Sequence, residues 1–119
     1  LMIPTVPFKE LFFLDTAKQF RAALKMPLIY VGGVMGRKNA ETALAEGFDF
    51  VQIGHALVRD TDFVNKMREE QYHSECKRSN YCVARMYTLD MKCHECDKDI
   101  PKYLKKEALK YEKMWYPEK

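Results

Sequence analysis

The chain has 119 residues, of which 47% are hydrophobic and 31% are charged, with a formal net charge of +3 at pH 7. These values predict one globular domain rather than a disordered chain. No apolar run approaches the roughly 20 residues of a membrane span, and the positive charge is too small to indicate nucleic-acid binding. The sequence therefore predicts neither a membrane partner nor a nucleic-acid partner.

The first half of the chain begins with a predicted amphipathic helix and a strand. A helix is expected within residues 9–25, because apolar side chains recur there with helical spacing at Phe13, Ala17, Phe20 and Leu24. Pro27 ends this region. The following residues, Leu28-Ile29-Tyr30-Val31, are apolar without alternation, which predicts a strand buried on both faces.

A second helix and strand follow. Asn39 is expected to cap a helix over residues 40–46 that Gly47 terminates. Residues 48–53 form the second predicted strand. After it come a short helical turn at residues 56–58 and a helix through Glu70, for which either Asp60 or Thr61 could supply the cap.

The alternation of helices and strands predicts an α/β fold with parallel strands and a right-handed crossover. Two parallel strands cannot bury both their faces and their edges, and a closed (β/α)8 barrel needs about 250 residues. We therefore expect residues 1–71 to be the C-terminal portion of a TIM barrel, about strands 7 and 8 with flanking helices. Residues 72–119 are expected to be a Cys-containing extension with a C-terminal helix that places Leu104, Ala108, Tyr111 and Trp115 on one face.

Glycine turns follow both predicted strands. Gly32-Gly33 comes after the first strand and Gly54 after the second. Glycines at strand ends let a phosphate approach backbone N–H groups, and a helix that begins there adds a favourable dipole. Turns of this kind after strands 7 and 8 of a barrel form a phosphate site. The alternative is that these glycines only allow a helix to pack on a strand.

Two segments resemble the old yellow enzyme family of NADH:flavin oxidoreductases: Pro27-Leu28-Ile29-Tyr30-Val31-Gly32-Gly33-Val34 and Gly54-His55-Ala56-Leu57-Val58-Arg59-Asp60-Thr61-Asp62-Phe63. The resemblance covers roughly residues 10 to 96. It implies a TIM barrel that binds FMN, is reduced by NAD(P)H as co-substrate, and passes hydride to a small-molecule substrate such as an activated alkene.

By this resemblance, Gly32, Gly33, Gly54 and His55 would hold the FMN phosphate. His55 stands where the family usually has Arg, and a His side chain is only partly charged near neutral pH. Thr61 replaces the usual Pro. The family's catalytic residues come from strands 1 to 6, which this chain does not contain, so the catalytic residues are unknown.

The four cysteines, Cys76, Cys82, Cys93 and Cys96, lie in the last third of the chain. No secretion signal precedes them, so we expect reduced thiols in a cytoplasmic protein. Cys93-His94-Glu95-Cys96 has the spacing of a metal-binding pair, and zinc is an alternative to structural thiols. Iron–sulfur members of the family have a Cys where this chain has Ser79, which disfavours an iron–sulfur cluster.

Two other functions are kept open. The glycine turns could bind a phosphorylated substrate in a non-redox barrel, such as a lyase or synthase. The chain could instead be a non-enzymatic fragment that binds zinc or another protein. Aromatic residues of the predicted C-terminal helix are expected to pack on the barrel wall or on a second subunit in a homo-oligomer.

Overall fold

The structure is a computed structural model. It describes residues 8–78, 80, 82–83, 91–95, 102–103 and 106. The chain divides into two compact units, one formed by Lys9–Glu75 and the other by Leu1–Phe8 with Cys76–Lys119. The residues predicted on one face of the C-terminal helix, Leu104, Ala108, Tyr111 and Trp115, lie outside the described residues.

The unit formed by Lys9–Glu75 contains helices and a two-stranded parallel sheet. Val31 of the first strand pairs with Gln52 of the second, and Ile29 pairs with Phe50. The predicted order of helices and strands and the parallel pairing are confirmed. In chain order the elements are α1 (Leu14–Ala23), β1 (Ile29–Val31), α2 (Arg37–Ala45), β2 (Phe50–Gln52), α3 (His55–Arg59) and α4 (Phe63–Glu69).

One face of the sheet forms a small hydrophobic core. Tyr30, Val34, Ala43 and Phe48 are its buried members, and the Tyr30 and Phe48 rings meet edge to face with centroids 5.5 Å apart. Partly buried residues of α1 and α2, among them Ala17, pack against them. Burial of a large apolar side chain stabilises a fold by roughly 1.5–3 kcal/mol, so this core holds the helices on the strands.

The prediction of a first strand buried on both faces is wrong for the described residues. Tyr30 is 1% exposed, but Ile29 is 61% and Val31 is 51% exposed. Side chains alternate along a strand, and α1 and α2 both contribute to the core on the Tyr30 side. Phe50, the cross-strand partner of Ile29, is also 61% exposed. The face opposite the core is therefore open, and it carries the apolar Ile29, Val31 and Phe50 beside the polar Gln52.

The predicted apolar face of α1 is confirmed only in part. Ala17 packs against the core together with Leu14, whereas Phe20 is 59% exposed. The helix begins at Leu14 rather than near residue 9, because the chain makes a turn in which Leu11 has a φ of 54° and donates its N–H to Gly33 O at 3.0 Å. The spacing of apolar residues correctly predicts a helix, but it does not predict which side of α1 packs against the core.

The predicted cap at Asn39 is wrong. Helix α2 begins at Arg37, with Gly36 as the N-cap residue. Asn39 lies inside the first turn, and its Oδ1 accepts the N–H of Met35 at 2.9 Å. The Asn39 side chain therefore binds the backbone just before α2, although Asn39 itself lies inside the helix.

The predicted cap of α4 at Asp60 or Thr61 is also wrong, because the N-cap residue is Asp62. Asp60, two residues before it, accepts the Asp62 N–H at 3.0 Å. No helix in the described part of the chain combines the length and apolar character that a membrane crossing requires.

Candidate functional site

The two glycine turns lie at the same edge of the sheet. Because β1 and β2 are parallel and Val31 pairs with Gln52, their carboxyl ends are neighbours. Gly32 and Gly33 directly follow β1, and Gly54 is the N-cap residue of α3 just after β2. The structure thus brings together the glycines that the sequence predicts for a phosphate site.

The Gly32-Gly33 turn is held by contacts within the protein. Both glycines have positive φ, 127° and 68°, a region that favours glycine. Tyr30 donates its hydroxyl to Gly32 O at 2.7 Å, and burial raises the pKa of Tyr30. A Cβ on Gly33 would lie 2.6 Å from the backbone nitrogen of Leu11. Gly33 is therefore also required by the close approach of residues 9–12.

Gly54 has different surroundings. It is exposed, its φ is −115°, and a Cβ added to it would meet no atom within 4 Å. Its carbonyl accepts the N–H groups of Leu57 and Val58 at 3.0 and 3.1 Å. His55, half-buried, is the first residue of α3. The space beside Gly54 is open, so a ligand could approach the backbone there.

Arg37, which also follows the Gly32-Gly33 turn, is engaged elsewhere. Its Nε donates to Glu41 Oε1 at 2.7 Å on the exposed side of α2. This pair is a surface i,i+4 ion pair. His55 is thus the basic residue that the sequence places directly at the glycine turns.

A cluster of titratable side chains links α4 to the residues that follow it. Asp60 Oδ2 accepts hydrogen bonds from Lys66 Nζ at 2.5 Å and from the Tyr72 hydroxyl at 3.0 Å. The bond from Lys66 lowers the pKa of the Asp60 carboxyl, and the same bond raises the pKa of Lys66. The hydrogen bond to Asp60 raises the pKa of Tyr72. No sequence spacing indicates this cluster.

A second cluster that sequence reasoning missed joins Glu10, Asn39 and His73. Asn39 Nδ2 donates to Glu10 Oε2 at 3.0 Å, and His73 Nε2 is hydrogen bonded to Glu10 Oε1. The bond from Asn39, followed by that from His73, lowers the pKa of Glu10. The three residues are distant in sequence, so no local motif reveals the contact.

The described cysteines are thiols. Cys76, Cys82 and Cys93 are each half-buried and outside disulfides. Burial raises the pKa of the Cys76 thiol and that of the Cys82 thiol, which favours their protonated form. Within the described residues, no group of three or more His, Cys, Asp or Glu side chains is arranged to hold a metal ion. Cys96, a predicted candidate ligand, lies outside the described residues.

Comparison with known proteins finds two similar oxidoreductases. The chain is 47% identical over 88 residues to 4,4'-dithiodibutanoate disulfide reductase from Rhodococcus erythropolis, an alignment that covers 73% of this chain and 22% of that protein. It is 35% identical over 57 residues to NADH:acrylate oxidoreductase from Vibrio harveyi, which covers 48% of this chain and 6% of that protein. No protein-family model matches the chain, and no solved structure does.

These similarities relate the chain to a segment of larger redox enzymes. The chain spans about a fifth of the length of the first relative and a smaller share of the second. The similarity in sequence is therefore to part of an oxidoreductase.

Proposed function

We propose that the chain is part of an FMN-dependent NAD(P)H oxidoreductase and supplies the site for the FMN phosphate. The open space beside Gly54, at the sheet edge that also contains the Gly32-Gly33 turn, is the observation that carries the proposal. The names of both relatives describe reductases or oxidoreductases, and one name includes NADH. These names support a redox function for the protein.

The residues present fit a phosphate group. A phosphate dianion needs several N–H donors at close range, and glycine lets it reach the backbone without steric hindrance. Gly54 has that space, and the adjacent His55 can donate from its imidazole ring. Gly33 is buried against residues 9–12, and a Cβ on Gly32 would lie 2.8 Å from the Phe13 ring. Both glycines therefore shape the turn, and Gly54 provides the accessible backbone.

When bound, FMN would supply hydride transfer from NAD(P)H to a small-molecule acceptor such as an activated alkene. The residues of this chain would hold the phosphate and so fix the position of the flavin. The Tyr30 hydroxyl donates a hydrogen bond to the Gly32 carbonyl and so fixes the conformation of the Gly32-Gly33 turn. None of the described residues is assigned a catalytic role.

The open face of the sheet supports the proposal that residues 1–71 belong to a TIM barrel. Ile29, Val31 and Phe50 are apolar and more than half exposed, and they lie opposite the face that the helices cover. The interior of a TIM barrel is packed with such side chains from all eight strands, and the helices lie outside. A further set of strands would bury this face.

Gly54→Val tests the phosphate site, because a Cβ at this position would meet no protein atom within 4 Å and the added side chain would occupy the space left for a ligand. We expect FMN to bind at least about tenfold more weakly to this variant, a loss of about 1.4 kcal/mol, as measured by quenching of flavin fluorescence. Riboflavin, which lacks the phosphate, is the matched control and should lose little affinity. Equal FMN affinity of wild type and variant would contradict the proposed site, as would binding of sugar phosphates without FMN.

A further inference from the structure

A single amide lies among apolar side chains on the open face of the sheet. Side chains alternate along a strand, so β1 and β2 place on this face the residues Ile29, Val31, Phe50 and Gln52. Gln52 is exposed, and no described residue forms a hydrogen bond with its side chain. Its neighbour Val51 packs on the other side of the sheet, against the hydrophobic core. The Gln52 amide is therefore on the side that the helices leave uncovered.

Gln52 is also the last residue of β2, beside both glycine turns. It pairs with Val31, which Gly32 follows directly, and it precedes Gly54 by two positions. A strand rises about 3.3 Å per residue, so the backbone of Gln52 lies within about 7 Å of that of Gly54. A glutamine side chain at this point can reach a group that is attached to a phosphate at Gly54.

The packing around the glycine turns limits the directions in which a bound phosphate ester can extend. A Cβ on Gly33 would lie 2.6 Å from the backbone nitrogen of Leu11, and one on Gly32 would lie 2.8 Å from the Phe13 ring. Protein atoms therefore already fill the space next to the first turn. No atom lies within 4 Å of the Cβ position at Gly54. The rest of the ester thus has room on the Gly54 side of the turns, over the open face that carries Gln52.

An amide on this face needs a hydrogen-bond partner once the face is covered. In the proposed barrel, further strands bury the face, and a TIM-barrel interior is packed with side chains. A buried amide without a partner costs free energy, because its carbonyl and NH2 groups both form hydrogen bonds with water when exposed. FMN has a chain of hydroxyl groups, the ribityl chain, between its phosphate and its ring. Hydroxyl groups both donate and accept, so they match an amide.

We propose that Gln52 binds the ribityl chain of FMN through hydrogen bonds between its amide and the ribityl hydroxyl groups, an inference that rests on the proposed function. The cofactor site then has two parts in this chain. Gly54 and His55 bind the phosphate, and Gln52 binds the chain that joins the phosphate to the ring. The second contact fixes the direction in which the flavin extends from the phosphate site.

Three flavins separate the role of Gln52 from that of Gly54. FMN has a phosphate and a ribityl chain, riboflavin has only the ribityl chain, and lumiflavin has neither. Gln52→Met keeps the length of the side chain and removes its hydrogen bonds. We expect this variant of the protein, purified as cells produce it, to bind FMN and riboflavin about three- to tenfold more weakly, as the loss of one hydrogen bond predicts. Lumiflavin affinity should not change. Quenching of flavin fluorescence measures all three.

Gln19→Met is the matched control, because Gln19 is an exposed glutamine on α1, and it should bind all three flavins as wild type does. Equal FMN affinity of wild type and Gln52→Met overturns the Gln52 contact, whereas the phosphate site stands if Gly54→Val still weakens FMN binding. An equal loss for lumiflavin also overturns the contact, since Gln52 then acts on the ring or on the fold. A wild-type protein that binds no FMN overturns the proposed function and the contact with it.

Discussion

Gly33 and Gly54 lie at the same edge of the sheet, but the space around them differs. Gly33 has a φ of 68°, and an added Cβ would lie 2.6 Å from a backbone nitrogen, whereas Gly54 is open. We expect Gly33→Ala to lower the free energy of unfolding by about 1–3 kcal/mol. Gly54→Ala should change it by less than about 0.5 kcal/mol. Urea denaturation of the two variants checks this, and equal stabilities would show that residues 9–12 do not pack on Gly33 as described.

The Asp60 cluster predicts an acid limit to stability. The pKa of Asp60 is lowered from its ordinary value of 3.8, first by the hydrogen bond from Lys66. A carboxyl group with a lowered pKa stabilises the folded state fully above its ordinary pKa, and this stability is lost as pH falls through the lowered value. We expect Asp60→Asn to flatten the fall of the melting temperature in acid. A fall as steep as that of wild type would contradict the contribution of this cluster.

The sequence predicts part of the candidate site and misses the rest for a physical reason. Gly32, Gly33, Gly54 and His55 are recognisable because each follows a strand end, which is a local feature of the chain. The cluster of Glu10, Asn39 and His73 joins residues far apart in sequence, and no local pattern records these contacts. A turn can be predicted from neighbouring residues in the sequence. The residues that hold the turn in place are distant in sequence and are brought together only by the tertiary fold.

At the level of helices and strands, the order and the parallel pairing follow from the apolar pattern, but the covered faces do not. The apolar run from Leu28 to Val31 predicts a strand buried on both sides, yet only Tyr30 is buried among the residues of β1. Apolar character shows that a face can be buried. It does not show which neighbour covers it, so Ile29 and Val31 remain exposed among the described residues.

Arg21 ties the end of α1 to the start of both strands. Its guanidinium is bonded to Asp49 Oδ2 at 3.3 Å and to the carbonyls of Leu24, Met26 and Gly47. Lysine presents one ammonium group and cannot reach all these acceptors. We expect Arg21→Lys to destabilise the chain by about 1 kcal/mol, measured by thermal unfolding.

Lys18→Gln is the control for that substitution. Lys18 forms a single exposed ion pair with Glu46 at 3.2 Å, and such pairs contribute roughly 0–1 kcal/mol. If Arg21→Lys were no more destabilising than Lys18→Gln, the link between α1 and the strands would not depend on the guanidinium.

At the scale of the whole molecule, the open sheet face is the feature that we expect to cause self-association. Ile29, Val31 and Phe50 expose apolar surface, and beside β1 a groove of about 220 Å³ is lined by Phe13 and Phe20 among others. Exposed apolar faces next to unpaired strand edges promote association. We expect the 119-residue chain on its own to self-associate in size-exclusion chromatography with light scattering, and Phe50→Lys to reduce this association. A wild-type chain that remains monomeric would show that the open sheet face does not drive association.

The central claim, that this protein binds FMN, is tested most directly by the absorption spectrum and flavin content of the protein purified from cells that produce it. The proposed function predicts a yellow protein that releases about one FMN per chain on denaturation, with the Gly54→Val form depleted of flavin. A colourless protein that stays without flavin after incubation with FMN would contradict the account.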